Sequence, residues 1–260
     1  MEDIAFLNLC ALKIVIIMSE QIHQIYHVAR CGSTLMTSLL STVCKAYAEP
    51  TWSKSLLLGT DPYKNMESFY GSVVKFPSMT TCFETNFPGN KVFLYRTLVQ
   101  HLCKIKSVNP IWVKQRFPKT DYILKNHNHP AINWKPEDEL DKVTYIWLCS
   151  VFRMLDSSNV LWITTNDFLQ DKRETLNRVC NHFNLPEVTD FSFCDIDVKK
   201  TRLNGRDDTV IDTFNQTEHI EYTFPSYGLI ETTMSLYDPD ILRRVEKIEN
   251  LFPQINEFLY

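Results

Sequence analysis

Glycine is scarce in this 260-residue chain, with six residues in all, and no Ser/Gly-rich linker, charge block, internal repeat or low-complexity stretch interrupts it. Nothing therefore marks a domain boundary, and with 44% apolar residues the chain can bury one sizeable core. Basic residues are in the minority, 27 against 31 acidic ones for a net charge of -4. That balance excludes a broad nucleic-acid surface and makes polyanionic polymers poor substrates, while leaving room for a basic pocket around one nucleotide. No Cys-x-x-Cys occurs among the eight cysteines at positions 10, 31, 44, 82, 103, 149, 180 and 194. Scattered through apolar segments, they read as reduced thiols of a cytoplasmic protein rather than as a disulfide framework or zinc site. Long hydrophobic runs are missing as well. Ala5 to Met18 is too short to span a bilayer and is interrupted by Asn8 and Lys13, and Glu2 and Asp3 stand where a secretory signal would be basic. The expectation is an N-terminal extension over residues 1–20, with Met18 as an alternative start, a single domain over 21–260, and no membrane association.

What is present is a phosphate cradle. Residues 25 to 34 run from an apolar strand into Arg-Cys-Gly-Ser-Thr, and an apolar-periodic helix follows through Leu35, Met36, Leu39, Leu40 and Val43. A strand that stops at a glycine turn and enters a helix aims unpaired backbone N–H groups and the positive helix end at one point. Arg30 adds a fixed charge, Gly32 permits close backbone approach, and Ser33 and Thr34 offer hydroxyls. Cys31 matters there for its backbone more than its sulfur. The lysine that a nucleotide-triphosphatase loop requires is absent.

Strands alternate with helices beyond this point. Ala46 to Ala48, Ser72 to Phe76, Lys91 to Tyr95 and Asn159 to Thr164 read as strands. Helices are expected after Arg96, from Pro136 with Val143, Trp147, Val151 and Met154 as its buried stripe, and from a capping box of Asp171 and Glu174. A last amphipathic helix is expected from about Asp240 to Phe258. This alternation predicts an α/β fold with a mainly parallel sheet flanked by helices, whose ligands bind at the carboxyl ends of the strands. Residues 107 to 136, rich in proline and aromatics, suit a cap over a pocket, and 195 to 230 carry no legible element.

The loop wording resembles that of the sulfotransferase family, which holds the 5′ end of 3′-phosphoadenosine 5′-phosphosulfate (PAPS). The similarity extends over about residues 24 to 186. Glu49 follows the second strand as the catalytic glutamate does in protein-tyrosine sulfotransferases and their bacterial relatives. Val-Lys-Phe-Pro-Ser at 74 to 78 resembles the lysine-bearing strand end, and Val-Phe-Leu-Tyr-Arg at 92 to 96 resembles the strand closed by the arginine that binds the donor's 3′-phosphate. Asn166-Asp167-Phe168-Leu169 is similar to the family's late turn. The resemblance implies a P-loop-containing nucleoside triphosphate hydrolase-like (sulfotransferase) fold, PAPS as co-substrate without a metal, and a small-molecule acceptor bearing a hydroxyl or amine. It implies Glu49 as base, Arg30 and Lys75 as cations for the leaving phosphate, and donor binding by Arg30, Cys31, Gly32, Ser33, Thr34 and Arg96.

Two departures accompany the likeness. Lys104 stands eight positions after Arg96, where the family has a phosphate-binding serine, and Thr97-Leu98 replaces the usual Asp-Pro. The late basic loop that holds adenine and 3′-phosphate has Lys199, Lys200, Arg202 and Arg206 as its counterparts, of which Lys200 and Arg202 are the donor-binding candidates; a solvated charge run reads equally well. Trp52, Phe69, Tyr70, Trp112 and Trp134 are candidates for an acceptor pocket, or ordinary packing. His127 and His129 read as loop residues rather than metal ligands. A nucleotide-binding homologue without turnover is the alternative, and a P-loop phosphotransferase the weaker one. The oligomeric state is not legible.

Overall fold

The computed structural model describes residues 21–28, 31–48, 69–76, 89–107, 124–125, 128–191, 199–201, 219–221 and 238–260. The elements are β1 (His23–His27), α1 (Ser33–Leu40), β2 (Ala46–Ala48), β3 (Val73–Lys75), β4 (Lys91–Tyr95), α2 (Leu98–Ser107), α3 (Glu139–Leu155), β5 (Val160–Thr164), α4 (Thr165–Gln170), α5 (Lys172–Phe183), β6 (Lys199–Thr201), β7 (His219–Glu221), α6 (Pro239–Leu251) and a 3-10 helix (Pro253–Phe258).

Strands β1 to β5 form one sheet in the order β2-β3-β1-β4-β5, and every pairing is parallel. Every residue of β1, β3 and β4 is buried, His23, Gln24 and His27 of β1 included, because a parallel sheet is covered on both faces. On one face α1 packs against β1, β2, β3 and α5. There Leu35, Met36, Leu39 and Leu40 of α1 are buried, as are Leu176, Val179, Cys180 and Phe183 of α5. The opposite face carries the aromatic ladder of Phe93, Tyr95 and Trp162, against which Phe258 packs.

Helix boundaries follow capping chemistry. The α3 helix begins at Glu139 rather than at Pro136, because the Asp138 carboxylate accepts from the Asp141 N–H at 2.9 Å and makes Asp138 the cap. The Asp171 carboxylate accepts from the Glu174 N–H at 2.9 Å, as the sequence expects. Between β5 and that cap lies α4, which reads as a turn in the sequence; Thr164 caps it by accepting from the Asp167 N–H at 3.0 Å. The last helix stops at Leu251, earlier than its periodicity suggests. Pro253 has no N–H to continue the ladder, so the chain breaks at Phe252 and re-forms as a 3-10 turn. In the region expected to lack elements, β6 and β7 form a two-stranded antiparallel pair.

Where the helices stand relative to the sheet decides the shape of the site. The Trp147 indole N–H donates to the carbonyl of Arg96, just past β4, at 3.0 Å, and Asn159 accepts from the Lys91 N–H at the amino edge. The chain therefore descends the sheet between these points, and the part of α3 before Trp147 stands beyond the carboxyl edge. There the Arg244 guanidinium of α6 meets Asp138 at 2.6 Å and Asp141 at 2.6 Å, and Lys106 of α2 meets Asp238 at 2.8 Å. These pairs join α2, α3 and α6 into one wall above the edge.

Candidate functional site

Parallel alignment brings the carboxyl ends of all five strands to one edge. From β1 the chain crosses β3 to reach β2, while from β4 it proceeds to β5 on the other side. Neighbouring strands whose connections depart in opposite directions leave a crevice between their ends, so the switch lies between β1 and β4. The loop before α1 and Arg96 are the two sides of that crevice.

Gly32 adopts φ +89°, the left-handed region that favours glycine, and turns the chain into α1. A Cβ there would sit 3.4 Å from the Phe168 ring, ordinary contact, so conformation and not space demands glycine. Among the described residues no side chain caps α1, and its first turn holds no acidic residue. Ser33 is buried and Thr34 is exposed. The Ser33 N–H and hydroxyl face the Cys31 sulfur, so of the two hydroxyls only that of Thr34 is turned to solvent.

Cations gather around this turn. Lys75 ends β3 in register with Ile25 of β1 and Ala48 of β2, and is 4% exposed; Arg96, just past β4, is 2% exposed. Burial pushes the Cys31 thiol up, while the Ser33 N–H and the positive charges of Arg96 and Lys75 oppose that shift. Both cations are therefore felt at the glycine turn. The raised pKa also leaves Cys31 a protonated, inert packing residue. Lys104 lies on the half-buried side of α2, about 9 Å along the helix axis from Leu98, on the wall above the edge.

Several sequence candidates belong elsewhere. Phe69 and Tyr70 precede β3, at the amino edge, where Phe69 packs edge-on against Tyr47 and the Gly71 N–H donates to Gln21. They are on the wrong side of the sheet for an acceptor pocket. Trp134 stacks on Tyr145 of α3 and lies under the Lys247 ammonium of α6, which makes it part of the wall. His129 is buried, with Nε2 2.8 Å from Asp156 and Nδ1 accepting from the Ala131 N–H, so both ring nitrogens are engaged in holding the segment before α3. Arg30, Glu49, Trp52, Trp112, His127, Arg202 and Arg206 lie outside the described residues, and Lys199 and Lys200 are placed in β6 by backbone alone.

One contributor carried no sequence signal. Thr165, 1% exposed, donates its hydroxyl to the carbonyls of Cys31 and Tyr95, each at 3.1 Å. Its partners are remote in sequence, and only the assembled edge brings them together.

The chain is thus a parallel α/β domain with a glycine-turned helix start and two buried cations at its switch point. No family model and no curated protein matches the chain. Solved structures that resemble it are sulfotransferases. A sulfotransferase from Alicyclobacillus acidocaldarius matches at 13% identity over 65% of this chain and 84% of that one, with a TM-score of 0.43. The sulfotransferase domain from the curacin biosynthetic pathway matches at 13% identity over 64% and 74%, with a TM-score of 0.42. A mouse sulfotransferase complexed with PAP matches at 11% identity over 93% and 90%, with a TM-score of 0.46. Among the described residues no helix is long and apolar enough to cross a membrane.

Proposed function

We propose that the protein is a PAPS-dependent sulfotransferase that moves a sulfuryl group to a hydroxyl or amine of a small-molecule acceptor. The observation that carries this reading is the crevice between β1 and β4, where the glycine-turned start of α1 lies near two buried cations, Lys75 and Arg96. Such a site fits a ligand with more than one phosphate and needs no metal to neutralise it.

The donor supplies an activated sulfuryl group on a phosphate oxygen. Glu49 takes the proton of the acceptor as its oxygen or nitrogen bonds to sulfur. Arg30 and Lys75 stabilise the charge that collects on the phosphate as its bond to sulfur breaks. Gly32 and Thr34 orient the 5′ end through backbone N–H groups and the Thr34 hydroxyl, with Cys31 and Ser33 shaping the loop. Arg96 and Lys104 hold the 3′-phosphate, a lysine contributing charge and reach where a serine would contribute one hydrogen bond. Lys200 and Arg202 complete the donor site. A homologue that binds the nucleotide without turnover is the second reading, and Lys104 is the residue that favours it.

Calorimetry with adenosine 3′,5′-bisphosphate, with and without a chelator, tests the donor site, and sulfate transfer to pooled small molecules tests turnover. Binding that survives chelation, followed by transfer, supports the enzyme. Binding without transfer supports the second reading. Strict magnesium dependence with a preference for nucleoside triphosphates would overturn both.

A further inference from the structure

We propose that Thr165 is a positioning residue whose shared hydroxyl sets the spacing between the glycine-turned anion loop and Arg96. The inference rests on the nucleotide reading above for its consequence, though not for its geometry.

A threonine hydroxyl has one proton, yet Thr165 Oγ1 lies 3.1 Å from both the Cys31 and the Tyr95 carbonyl oxygens. Equal distances, both longer than the roughly 2.7–2.8 Å usual for O–H···O, describe a three-centre bond in which one proton is divided between two acceptors. At 1% exposure there is no solvent to replace it. The topology explains how one residue reaches both. Thr164 pairs with Tyr95, so Thr165 sits immediately past β5 beside the end of β4, and β4 in turn borders β1.

Each carbonyl belongs to a peptide group that the site depends on. Carbonyl and N–H point in opposite directions across a trans peptide, so holding Cys31 O toward Thr165 turns the Gly32 N–H the other way. That amide begins the cradle of α1. The Tyr95 carbonyl shares its peptide with the Arg96 nitrogen, and the Arg96 carbonyl is itself held by the Trp147 indole at 3.0 Å. Both peptide groups flanking the Arg96 Cα are therefore fixed, and the guanidinium leaves from an immobile point. Thr165 is thus bonded to both halves of the crevice. A ligand gripped at one half tolerates a change in spacing, whereas one gripped at both does not.

The test compares Thr165→Val, which removes the hydroxyl at nearly constant volume, with Thr165→Ser, which keeps it; Thr165→Ala replaces the valine variant if that does not fold. Calorimetry measures adenosine 3′,5′-bisphosphate and adenosine 5′-monophosphate on each. The clamp predicts that loss of the hydroxyl weakens the bisphosphate about tenfold or more, the scale of one buried hydrogen bond, and the monophosphate less than about threefold. The serine variant should stay within about threefold of the parent for both. Equal weakening of the two ligands, or an unchanged bisphosphate affinity, overturns the proposal. If the parent protein binds neither nucleotide, the donor reading falls, and hydrogen exchange then decides the clamp. Faster exchange of segments 31–36 and 94–98 together in the valine variant, absent in the serine variant, supports it; unchanged protection overturns it.

Discussion

Trp147 and Arg96 are joined by a hydrogen bond from the indole N–H to the backbone carbonyl, 3.0 Å long, with both residues almost wholly buried. The bond sets the height of α3 against the sheet and fixes the base of the arginine at the same time. Trp147→Phe leaves that carbonyl without its donor, at a cost of about 1–3 kcal/mol. Urea unfolding should show a loss on that scale, and bisphosphate affinity should fall with it. Unchanged stability would mean that the carbonyl has found another donor.

Arg96→Ala should weaken adenosine 3′,5′-bisphosphate far more than the analogue lacking the 3′-phosphate, since only the former loses a charge-assisted contact. Lys104→Ala should behave in the same way. Equal losses of both nucleotides in the Lys104 variant would remove that residue from the 3′-phosphate.

For the base, Glu49→Gln should retain donor binding and fold while turnover drops by roughly 10²-fold or more, because glutamine keeps the shape but cannot accept a proton. Turnover at saturating donor and acceptor is the measurement. A parallel fall in donor affinity would make Glu49 a partner of Arg30 or Lys75 instead, and near-normal turnover would remove it as the base.

Gly32→Ala forces a Cβ onto a φ of +89°, at a cost of about 1–2 kcal/mol. In a domain of this size that lowers the melting temperature by a few degrees. Anion binding should fall as well, since relief of the strain rotates the first amides of α1. A variant with unaltered melting temperature and affinity would show that the turn tolerates a side chain.

The Arg244 guanidinium holds the Asp138 and Asp240 carboxyls below their ordinary range, and the Lys106 ammonium does the same for Asp238. A carboxyl depressed in the folded state stabilises it in full above the unfolded value, about 3.9, and that contribution disappears as pH falls through the lower folded values. Arg244→Met should therefore be less stable than the parent at pH 7, with the gap narrowing as the solution is acidified below about pH 4. Urea midpoints at pH 7 and pH 3 measure it, and a constant gap would refute the electrostatic assignment.

Much of the fold was legible because its signals are local. The glycine turn into Leu35, Met36, Leu39 and Leu40 needs only one window of sequence, as does the Asp171 cap of α5. Local signals also misled. Periodicity through Phe252 carried the last helix past Pro253, and the short α4 passed for a turn because its cap and body span so few residues. Aromatic residues carry no direction along a strand, so Phe69 and Tyr70 could be assigned to the crevice although they lie at the opposite edge. Lys75 and Arg96 were readable as strand ends. Thr165 was not, because its role depends on two carbonyls that only the closed sheet brings within reach.

The turn around Leu259 has a bearing on how the crevice is held together. The Val99 N–H, in the first turn of the helix that follows Arg96, donates to the Leu259 carbonyl at 3.0 Å, and Phe258 lies against Tyr95 and Trp162. A turn remote in sequence thus supplies an acceptor to the helix start beside Arg96. Until that turn docks, the helix start lacks this acceptor, so the arginine side of the crevice depends on a contact remote in sequence, whereas α1 and its glycine turn can form with the neighbouring strands.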